Sequence, residues 1–232
     1  MMLKEQWDMK RIFALAVLLV AAVLLTACGG GGEKPTAKPA ATASTSQTAA
    51  KAEANGLAGK RVLVAYFSRA DENYKVGYIE KGNTRIVAEM IAEATGGELF
   101  EIKTVKPYPK EHDPTIEIAK QEKAANARPE IVGTMPDVQS YDVVFLGYPI
   151  WWGDLPMACY TFFDKTNFAG KTVAPFCTHE GSDVAGTDKY IAETTKANVL
   201  EALAIRGTVA QNSRDEAKTE VMAWLKKLGY AK

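Results

Sequence analysis

The chain has 232 residues, of which 47% are hydrophobic and 24% are charged, a composition typical of a globular protein with one substantial core. Lys plus Arg and Asp plus Glu each total 28, which excludes an overall attraction to nucleic acid or another polyanion. Three cysteines in this length exclude a disulfide-dense scaffold.

The amino-terminal segment has the features of an export signal. A basic start, Met9-Lys10-Arg11, precedes the nearly all-apolar residues 12–25. This apolar stretch is shorter than the roughly 20 residues of a membrane-spanning helix. It closes with Leu25-Thr26-Ala27-Cys28, which resembles a bacterial lipobox. The segment predicts a lipoprotein signal peptide over residues 1–27, lipidation of Cys28 and a place outside the cytoplasm on a bacterial membrane, with an uncleaved anchor as the alternative.

The segment that follows the signal has no apolar periodicity. Residues 29–55 consist largely of Gly, Ala, Thr, Ser, Lys and Pro, with too little apolar surface to form a core. We therefore divide the rest of the chain into Cys28 with a disordered tether, at residues 28–58, and one folded domain at residues 59–232.

From residue 59 onward, strand-like and helical segments alternate five times. The apolar run at residues 61–67, rich in β-branched and aromatic residues, is typical of a strand buried on both faces. The predicted strands lie at residues 61–67, 98–104, 142–146, 171–178 and 202–207. The predicted helices lie at residues 84–94, 114–127, 155–164, 188–196 and 212–227.

This alternation predicts an α/β fold with a doubly wound, five-stranded parallel sheet and helices on both faces. The strand order 2-1-3-4-5 is the first choice for five strands. It places a ligand beyond the carboxyl ends of strands 1 and 3, where the winding reverses. The residues best suited to a ligand do follow strands 1, 3 and 4.

The loop after the first strand offers groups for a phosphate. Ser68 follows the strand, and Gly82, Asn83 and Thr84 open the first helix. Glycine allows close approach of a ligand, and the free N–H groups of a helix start attract phosphate. The hydroxyls of Ser68 and Thr84 can donate to it, and Lys81 either adds charge or points into solvent. An ordinary helix cap without a ligand is the alternative.

The loop after the third strand places two large apolar rings where a surface loop is expected. Its sequence is Pro149, Ile150, Trp151, Trp152 and Gly153. The tryptophans can stack on a planar ring, while Gly153 leaves room for it. The alternative is that they pack on the helix that follows. We expect one of them to do so, because consecutive side chains point in opposite directions.

The loop after the fourth strand is polar and contains Thr178, His179, Glu180, Gly181 and Ser182. His179 is a candidate general acid, a hydrogen-bond donor to a ligand or a plain surface residue. No second His or Cys stands at metal-ligand spacing, so the sequence predicts no metal site.

Four stretches of the chain resemble the flavodoxin superfamily, and most closely its bacterial flavodoxin-like branch, which is often exported as lipoproteins. They are Val64-Ala65-Tyr66-Phe67-Ser68, Gly82-Asn83-Thr84, Gly147-Tyr148-Pro149-Ile150-Trp151-Trp152-Gly153 and Pro175-Phe176-Cys177-Thr178-His179-Glu180-Gly181-Ser182. The resemblance covers about residues 60–228 and implies a flavodoxin-like fold that binds FMN without a covalent bond. It further implies that Ser68, Asn83 and Thr84 hold the phosphate. Residues 149–153 would flank the isoalloxazine ring, and residues 178–182 would form its other wall.

The resemblance implies a redox protein, either an electron carrier or a reductase of small acceptors such as quinones. Its partners would be redox donor and acceptor proteins or a small-molecule acceptor, with attachment to a membrane through the lipid and no nucleic acid. The alternative is a tethered binding module with the same fold and no redox turnover, because fold does not fix function.

The insert after Ser68 departs from the family pattern, and the state of the two later cysteines is left undecided by the sequence. Residues 69–81 separate Ser68 from Gly82, and this insert is expected to form a lid, a recognition loop or an unstructured excursion. Cys159 is expected to be buried in a helix and Cys177 to be structural, although the sequence leaves open a disulfide between them.

Overall fold

The central sheet of the protein is parallel throughout, as the alternation of strands and helices predicts. This computed structural model describes residues 56–231. Within that range the strands are β1 (Val62–Tyr66), β2 (Asp71–Asn73), β3 (Gly77–Ile79), β4 (Glu98–Glu101), β5 (Val143–Pro149), β6 (Thr172–His179), β7 (Asn198–Val199) and β8 (Leu203–Arg206). The helices are α1 (Asn83–Thr95), α2 (His112–Ala124), α3 (Met157–Lys165), α4 (Thr187–Thr195), α5 (Gly207–Asn212) and α6 (Arg214–Lys227). The predicted signal peptide, Cys28 and nearly all of the predicted tether lie outside the described residues.

The strands follow the order β4-β1-β5-β6, and both β7 and β8 lie alongside β6. Taken together, β7 and β8 form the fifth strand, so the predicted order 2-1-3-4-5 is confirmed. β7 pairs with Thr172 and Val173 at the start of β6, whereas β8 pairs with residues 176–179 at its end. The predicted strand at 202–207 therefore corresponds to β8, while β7 and the short helix α5 were not predicted.

Alternate residues of the buried strands face two separate hydrophobic layers. In β1, Val64 and Tyr66 belong to one layer, and Leu63 and Ala65 belong to the other. The first layer contains buried residues of α1 and α6, and the second contains those of α3 and α4. Helices therefore cover both faces of the sheet, as predicted.

The insert at residues 69–81 is an ordered antiparallel hairpin rather than an unstructured excursion. Its strands β2 and β3 pair from Asp71 opposite Ile79 to Asn73 opposite Gly77. Gly77 lies at φ +69°, a region open to glycine, and the turn also holds Lys75 at φ +67°. The hairpin leaves the sheet directly after β1 and returns to the start of α1.

The first described residues pack against the last ones. The N–H of Gly56 donates to the carbonyl of Gly229 at 3.0 Å, and Leu57 is buried in the layer that contains α6. The sequence assigned both residues to the tether because of their composition. In the structure the folded domain includes them.

Two further expectations concern membrane spans and cysteines. Among residues 56–231, no helix combines the length and the apolar character that crossing a membrane requires.

Cys159 and Cys177 are both free and buried, so they form no disulfide with each other. Burial raises the pKa of Cys177 to about 12, which keeps the thiol protonated and unreactive.

Candidate functional site

A cavity of about 470 Å³ opens at the carboxyl edge of the sheet, beyond the ends of β5 and β6. It is lined by residues 149–152, which end β5 and begin the loop after it, and by residues 178–180, which end β6 and begin the next loop. Pro149 and His179, predicted to lie in loops, are the last residues of these strands. From the predicted phosphate loop, only Asn83 reaches the lining. The volume lies within the range of small-molecule and cofactor sites. The topology therefore brings together residues of all three predicted loops.

The start of α1 is held beside this cavity by side chains of other segments. Ser68 Oγ accepts the N–H of Arg85 at 3.1 Å, and Thr84 is buried with its hydroxyl against that of Thr178. The N–H groups of Asn83 and Thr84 lie in the first turn and have no acceptor within the helix. This end of α1 can therefore receive an anion.

Asn83 carries an orphaned polar atom at this end of the cavity. Its Oδ1 is buried and has no hydrogen-bond partner among the described residues. The Asn83 amide lies so close to the Cα of Gly207 that a Cβ added at Gly207 would collide with it. The same Cβ would lie 3.0 Å from Glu180 Oε1. Burying an acceptor without a donor is costly. A ligand that supplies a hydroxyl donor here would remove that cost.

Other predicted site residues lie outside the cavity lining. Lys81 binds Glu89 Oε2 at 2.7 Å and faces a separate depression of about 180 Å³, which Ser68 and Gly82 also line. Its ammonium is therefore held by α1 and not by the main cavity. Gly153, Gly181 and Ser182 belong to the predicted loops but are not among the residues that line the cavity.

The two tryptophans have different surroundings. Trp151 is half-buried and makes edge-to-face contacts with Phe67, at 5.3 Å between centroids, and with Tyr108, at 5.1 Å. Trp152 is 49% exposed, lies at φ +53°, and donates its indole N–H to the carbonyl of Ile116 at 2.8 Å. These ring contacts are with segments that precede the tryptophans, whereas packing on the following helix was expected. Trp151 thus supports the floor, and Trp152 offers an exposed face.

Asp154 locks the tryptophan loop. Its carboxylate accepts the N–H of Leu155 and the hydroxyl of Tyr160, both at 2.7 Å, and pairs with Lys123 at 3.3 Å. Its backbone bonds in both directions with that of Trp151. These bonds hold the loop in one conformation, so the indole of Trp152 has a fixed position at the cavity.

The other wall is formed by His179 and Glu180. His179 Nδ1 accepts the N–H groups of Gly181 and Asp183, each at 3.0 Å. Burial lowers the pKa of His179, and Arg206 acts in the same direction against the opposing effect of Asp183.

The Glu180 carboxylate is bound to the start of α5. Its Oε1 accepts the N–H of Thr208 at 2.7 Å, and Thr208 Oγ1 lies 3.3 Å from Oε2. This contact fixes the position of α5 relative to the loop that follows β6. Glu180 therefore links the wall of the cavity to a helix that no sequence pattern indicated.

Sequence reasoning gave a lid or a recognition loop as alternatives for the insert but named none of its residues as site residues, and it missed α2 as part of the site. Arg69, Asn73 and Tyr74 line the cavity from the hairpin, and His112, Thr115 and Ile116 line it from α2. Tyr74 stacks on His112, with 5.9 Å between ring centroids and 28° between planes. Arg69 and Tyr74 were visible in the sequence of the insert. Their position depends on contacts distant in the chain, which no local pattern reveals.

The guanidinium of Arg69 fastens the hairpin to the segment before α2. Nη2 donates to the carbonyls of Pro109, Lys110 and Glu111 at 2.9, 2.7 and 3.1 Å. Nη1 donates to the carbonyl of Glu72 within the hairpin. Carbonyl groups cannot neutralise the charge, so Arg69 contributes a positive charge to the cavity wall.

Comparison with known proteins then decides the family. The family model for flavodoxin matches residues 61–228, which is well over half of the chain. The chain belongs to the flavodoxin family. Among curated proteins, no sequence matches significantly.

Several solved structures are similar to this chain. A candidate flavoprotein from Bacteroides eggerthii is 28% identical with a TM-score of 0.57, over 75% of this chain and 99% of that protein. A candidate flavoprotein from Bacteroides uniformis is 26% identical with a TM-score of 0.55, over 72% and 98%. A Lactobacillus acidophilus flavoprotein solved with FMN is 24% identical with a TM-score of 0.49, over 69% and 99%.

In this member of the flavodoxin family, the cavity offers groups suited to an organic cofactor. Within residues 56–231 no group of three or more His, Cys, Asp or Glu side chains is arranged to hold a metal ion. The cavity instead combines an anion-receptive helix start, an unsatisfied acceptor at Asn83 and the exposed indole of Trp152.

Proposed function

We propose that this flavodoxin-family chain is an FMN-binding redox protein that carries electrons or reduces small acceptors such as quinones. One observation carries the proposal. The cavity at the carboxyl edge joins the unsatisfied Oδ1 of Asn83, beside the start of α1, to the exposed indole of Trp152. These groups would match a ligand that has a phosphate for the helix start, a hydroxyl for Asn83 Oδ1 and a planar ring for the indole.

The residues present fit FMN. The first-turn N–H groups of α1 would hold the phosphate, and the charge of Arg69 adds to the attraction. Ser68 and Thr84 would act by keeping this helix start in position, through their bonds to Arg85 and Thr178. A hydroxyl of the ribityl chain would donate to Asn83 Oδ1. Trp152 would contact the face of the isoalloxazine ring, and His179 would contact the ring from the opposite loop. Bound FMN would supply one- and two-electron redox chemistry.

The protein's own groups then tune and protect that chemistry. Trp151 lines the cavity and packs edge-to-face on Phe67 and Tyr108, so an aromatic cluster supports the cavity on that side. Two carboxylates lie near the loops. Glu180 lines the cavity and accepts the neutral N–H and hydroxyl of Thr208, whereas Asp154 is paired with Lys123. Arg69 and Glu180, of opposite charge, both line the cavity, and the carboxylates of Asp71, Glu72 and Glu111 act on the guanidinium.

The test is the spectrum of the purified full-length chain. We expect a yellow protein, or a colourless one that takes up added FMN stoichiometrically and bleaches with dithionite. The Asn83→Leu variant, which replaces the unsatisfied amide with an apolar group of similar size, should bind FMN more weakly. A chain that acquires no flavin spectrum at micromolar FMN would contradict the proposal and favour a binding module without redox turnover.

A second measurement separates carrier from reductase. The FMN-loaded chain is mixed with NADH and a soluble benzoquinone, and NADH absorbance is followed. Steady consumption indicates a reductase of small acceptors. Consumption no faster than with free FMN indicates a carrier that exchanges electrons with protein partners.

We also propose that the protein is a lipoprotein anchored outside the cytoplasm, on the basis of the sequence around Cys28. Cells that express the full chain are grown with labelled palmitate. We expect the label on the unsubstituted chain and its absence from the Cys28→Ser variant. Equal labelling of both chains, or none of either, would contradict lipidation at Cys28.

A further inference from the structure

The imidazole of His179 is enclosed by its own loop. Residues 179–183 curve around the ring so that the N–H groups of Gly181 and Asp183 both point at Nδ1, each at 3.0 Å. To do this, Gly181 takes φ +127° and Asp183 takes φ +53°. Residues other than glycine rarely adopt positive φ, so the loop conformation carries some strain. The two hydrogen bonds to the ring offset that strain.

These two bonds determine where the imidazole proton lies. Both partners of Nδ1 are N–H donors and cannot accept, so Nδ1 must present its lone pair. A proton on Nδ1, in the other neutral tautomer or in the cation, would break both bonds. The ring is therefore neutral and carries its proton on Nε2.

The charged neighbours of the ring come from two elements. Asp183 and Glu180 lie on the same loop, and Arg206 stands opposite His179 in the register of β6 with β8. The carboxylates favour protonation, whereas burial and Arg206 oppose it. Burial is the largest influence and lowers the pKa of the ring.

The other ring nitrogen is free for a ligand. Nε2 has no hydrogen-bond partner among residues 56–231, and His179 lines the cavity. We propose that the Nε2–H of His179 is a donor of fixed tautomer that binds an acceptor atom on the edge of the flavin ring and so positions that ring in the cavity. This inference rests on the proposed function, since it assigns His179 to the flavin.

The arrangement gives His179 a binding role rather than a proton-transfer role. Gaining a proton at Nδ1 would require loss of both backbone bonds and a rearranged loop. A neutral donor selects a carbonyl oxygen or an unprotonated ring nitrogen and rejects a donor group. The side chain therefore determines which edge of the bound ring faces the loop after β6.

The tautomer can be measured without any cofactor. Nitrogen-15 NMR of the imidazoles in the unliganded full-length chain distinguishes a protonated Nε2 from a protonated Nδ1. His112 is the only other histidine, and a His112→Asn variant assigns the two rings. We expect a neutral ring with Nε2–H for His179 at neutral pH. A protonated Nδ1, or rapid exchange between tautomers, would overturn the proposal.

The contact with the flavin is tested by His179→Asn. Asparagine places an amide oxygen near the position of Nδ1, so it can retain the two loop bonds, but it has no donor at the position of Nε2. We expect FMN affinity to fall about tenfold while the amides of Gly181 and Asp183 stay protected from hydrogen exchange. Unchanged affinity would overturn the flavin contact, even if the tautomer is as expected.

The two proposals fail in different ways. If the unsubstituted chain binds no FMN, the proposed function is wrong and the flavin contact is lost with it. The NMR result then still decides whether the ring is fixed. If the unsubstituted chain binds FMN and His179→Asn binds it equally well, the proposed function stands and only the role of His179 is refuted.

Discussion

Thr84 Oγ1 and Thr178 Oγ1 lie 2.8 Å apart, in a hydrogen bond that joins the first turn of α1 to the end of β6. The two residues are 1% and 3% exposed, so water cannot replace either partner. Thr178 lines the cavity, and α1 begins beside it. The bond therefore fixes the anion-receptive end of the helix relative to the wall that carries His179.

Replacing Thr84 with valine leaves the buried hydroxyl of Thr178 without its partner. We expect the free energy of unfolding to fall by about 1–3 kcal/mol, measured by urea denaturation of the unliganded chain. Thr84→Val with Thr178→Val should recover part of this loss, because no polar group is then stranded. The control is Thr219→Val on the exposed side of α6, which should change stability by less than about 0.5 kcal/mol. Strict additivity of the two buried substitutions would contradict the coupling.

Replacing each tryptophan with alanine should affect different properties, FMN affinity for Trp152 and stability for Trp151. Trp152→Ala removes an exposed ring face, so FMN affinity should fall about tenfold with little change in unfolding free energy. Trp151→Ala removes the ring that packs on Phe67 and Tyr108, so it should cost about 2–3 kcal/mol of stability. FMN titration and urea denaturation of both variants provide the comparison. Similar losses of stability in both variants would show that the two rings do not divide the roles in this way.

Arg69→Met should release the hairpin from the segment before α2. The guanidinium donates to four backbone carbonyls, and methionine keeps the length but none of the donors. We expect amides of residues 71–79 to exchange with solvent at least about tenfold faster, while amides of β5 keep their protection. Arg69→Lys retains the charge without the fork and should give an intermediate result. Unchanged exchange in the methionine variant would show that other contacts hold the hairpin.

Gly207→Ala should disturb the cavity from outside it. A Cβ at this position would collide with the amide of Asn83 and approach Glu180 Oε1 to 3.0 Å. We expect a loss of about 1–3 kcal/mol in unfolding free energy and weaker FMN binding, because the Asn83 amide must move. Urea denaturation and FMN titration measure the two effects. If both quantities match those of the unsubstituted chain, the backbone of α5 is free to shift.

Stability should decrease as pH falls below the ordinary pKa of histidine, and His179 should account for part of the decrease. Its pKa is lowered in the folded chain, so the unfolded chain binds the proton more readily. The stabilisation is therefore complete above about pH 6.5 and is lost as the pH falls from there through the folded pKa. Urea midpoints of the unsubstituted chain and of His179→Asn are compared at pH 7.5 and 5.5. The variant should lose less stability over this interval, and an equal loss would assign the effect to other groups.

The parts of the fold that the sequence predicted are those with strong local patterns. The apolar runs at β1, β5 and β6 are long enough to identify buried strands, and their alternation with helices predicts a parallel sheet, for which the order 2-1-3-4-5 is the first choice. By contrast, β7 has two residues, Asn198 and Val199, too few for any periodicity. Helix α5 begins at a glycine, and its first turn is bound by Glu180, which lies 28 residues earlier. No local pattern can indicate such a helix.

In the candidate site too, some residues could be predicted from local patterns, whereas others depend on contacts distant in the chain. The rule that ligands bind where the winding reverses was enough to place residues 149–152 and 178–180 at one edge. The contributions of Arg69 and Tyr74 depend on how the insert folds. The three-residue strands of the hairpin have no apolar alternation, and its anchor is a set of carbonyls about 40 residues away in the chain. The ion pair of Lys81 with Glu89 likewise depends on a side chain two turns into α1.

The bond between Gly56 and Gly229 determines from which side the chain enters the domain. Residues 56–61 lead into the amino end of β1, whereas the cavity lies beyond the carboxyl ends of the same parallel strands. The chain therefore enters the domain at the edge of the sheet opposite the cavity. An attachment made through that segment would leave the mouth of the cavity unobstructed, because the two lie at opposite edges of the sheet.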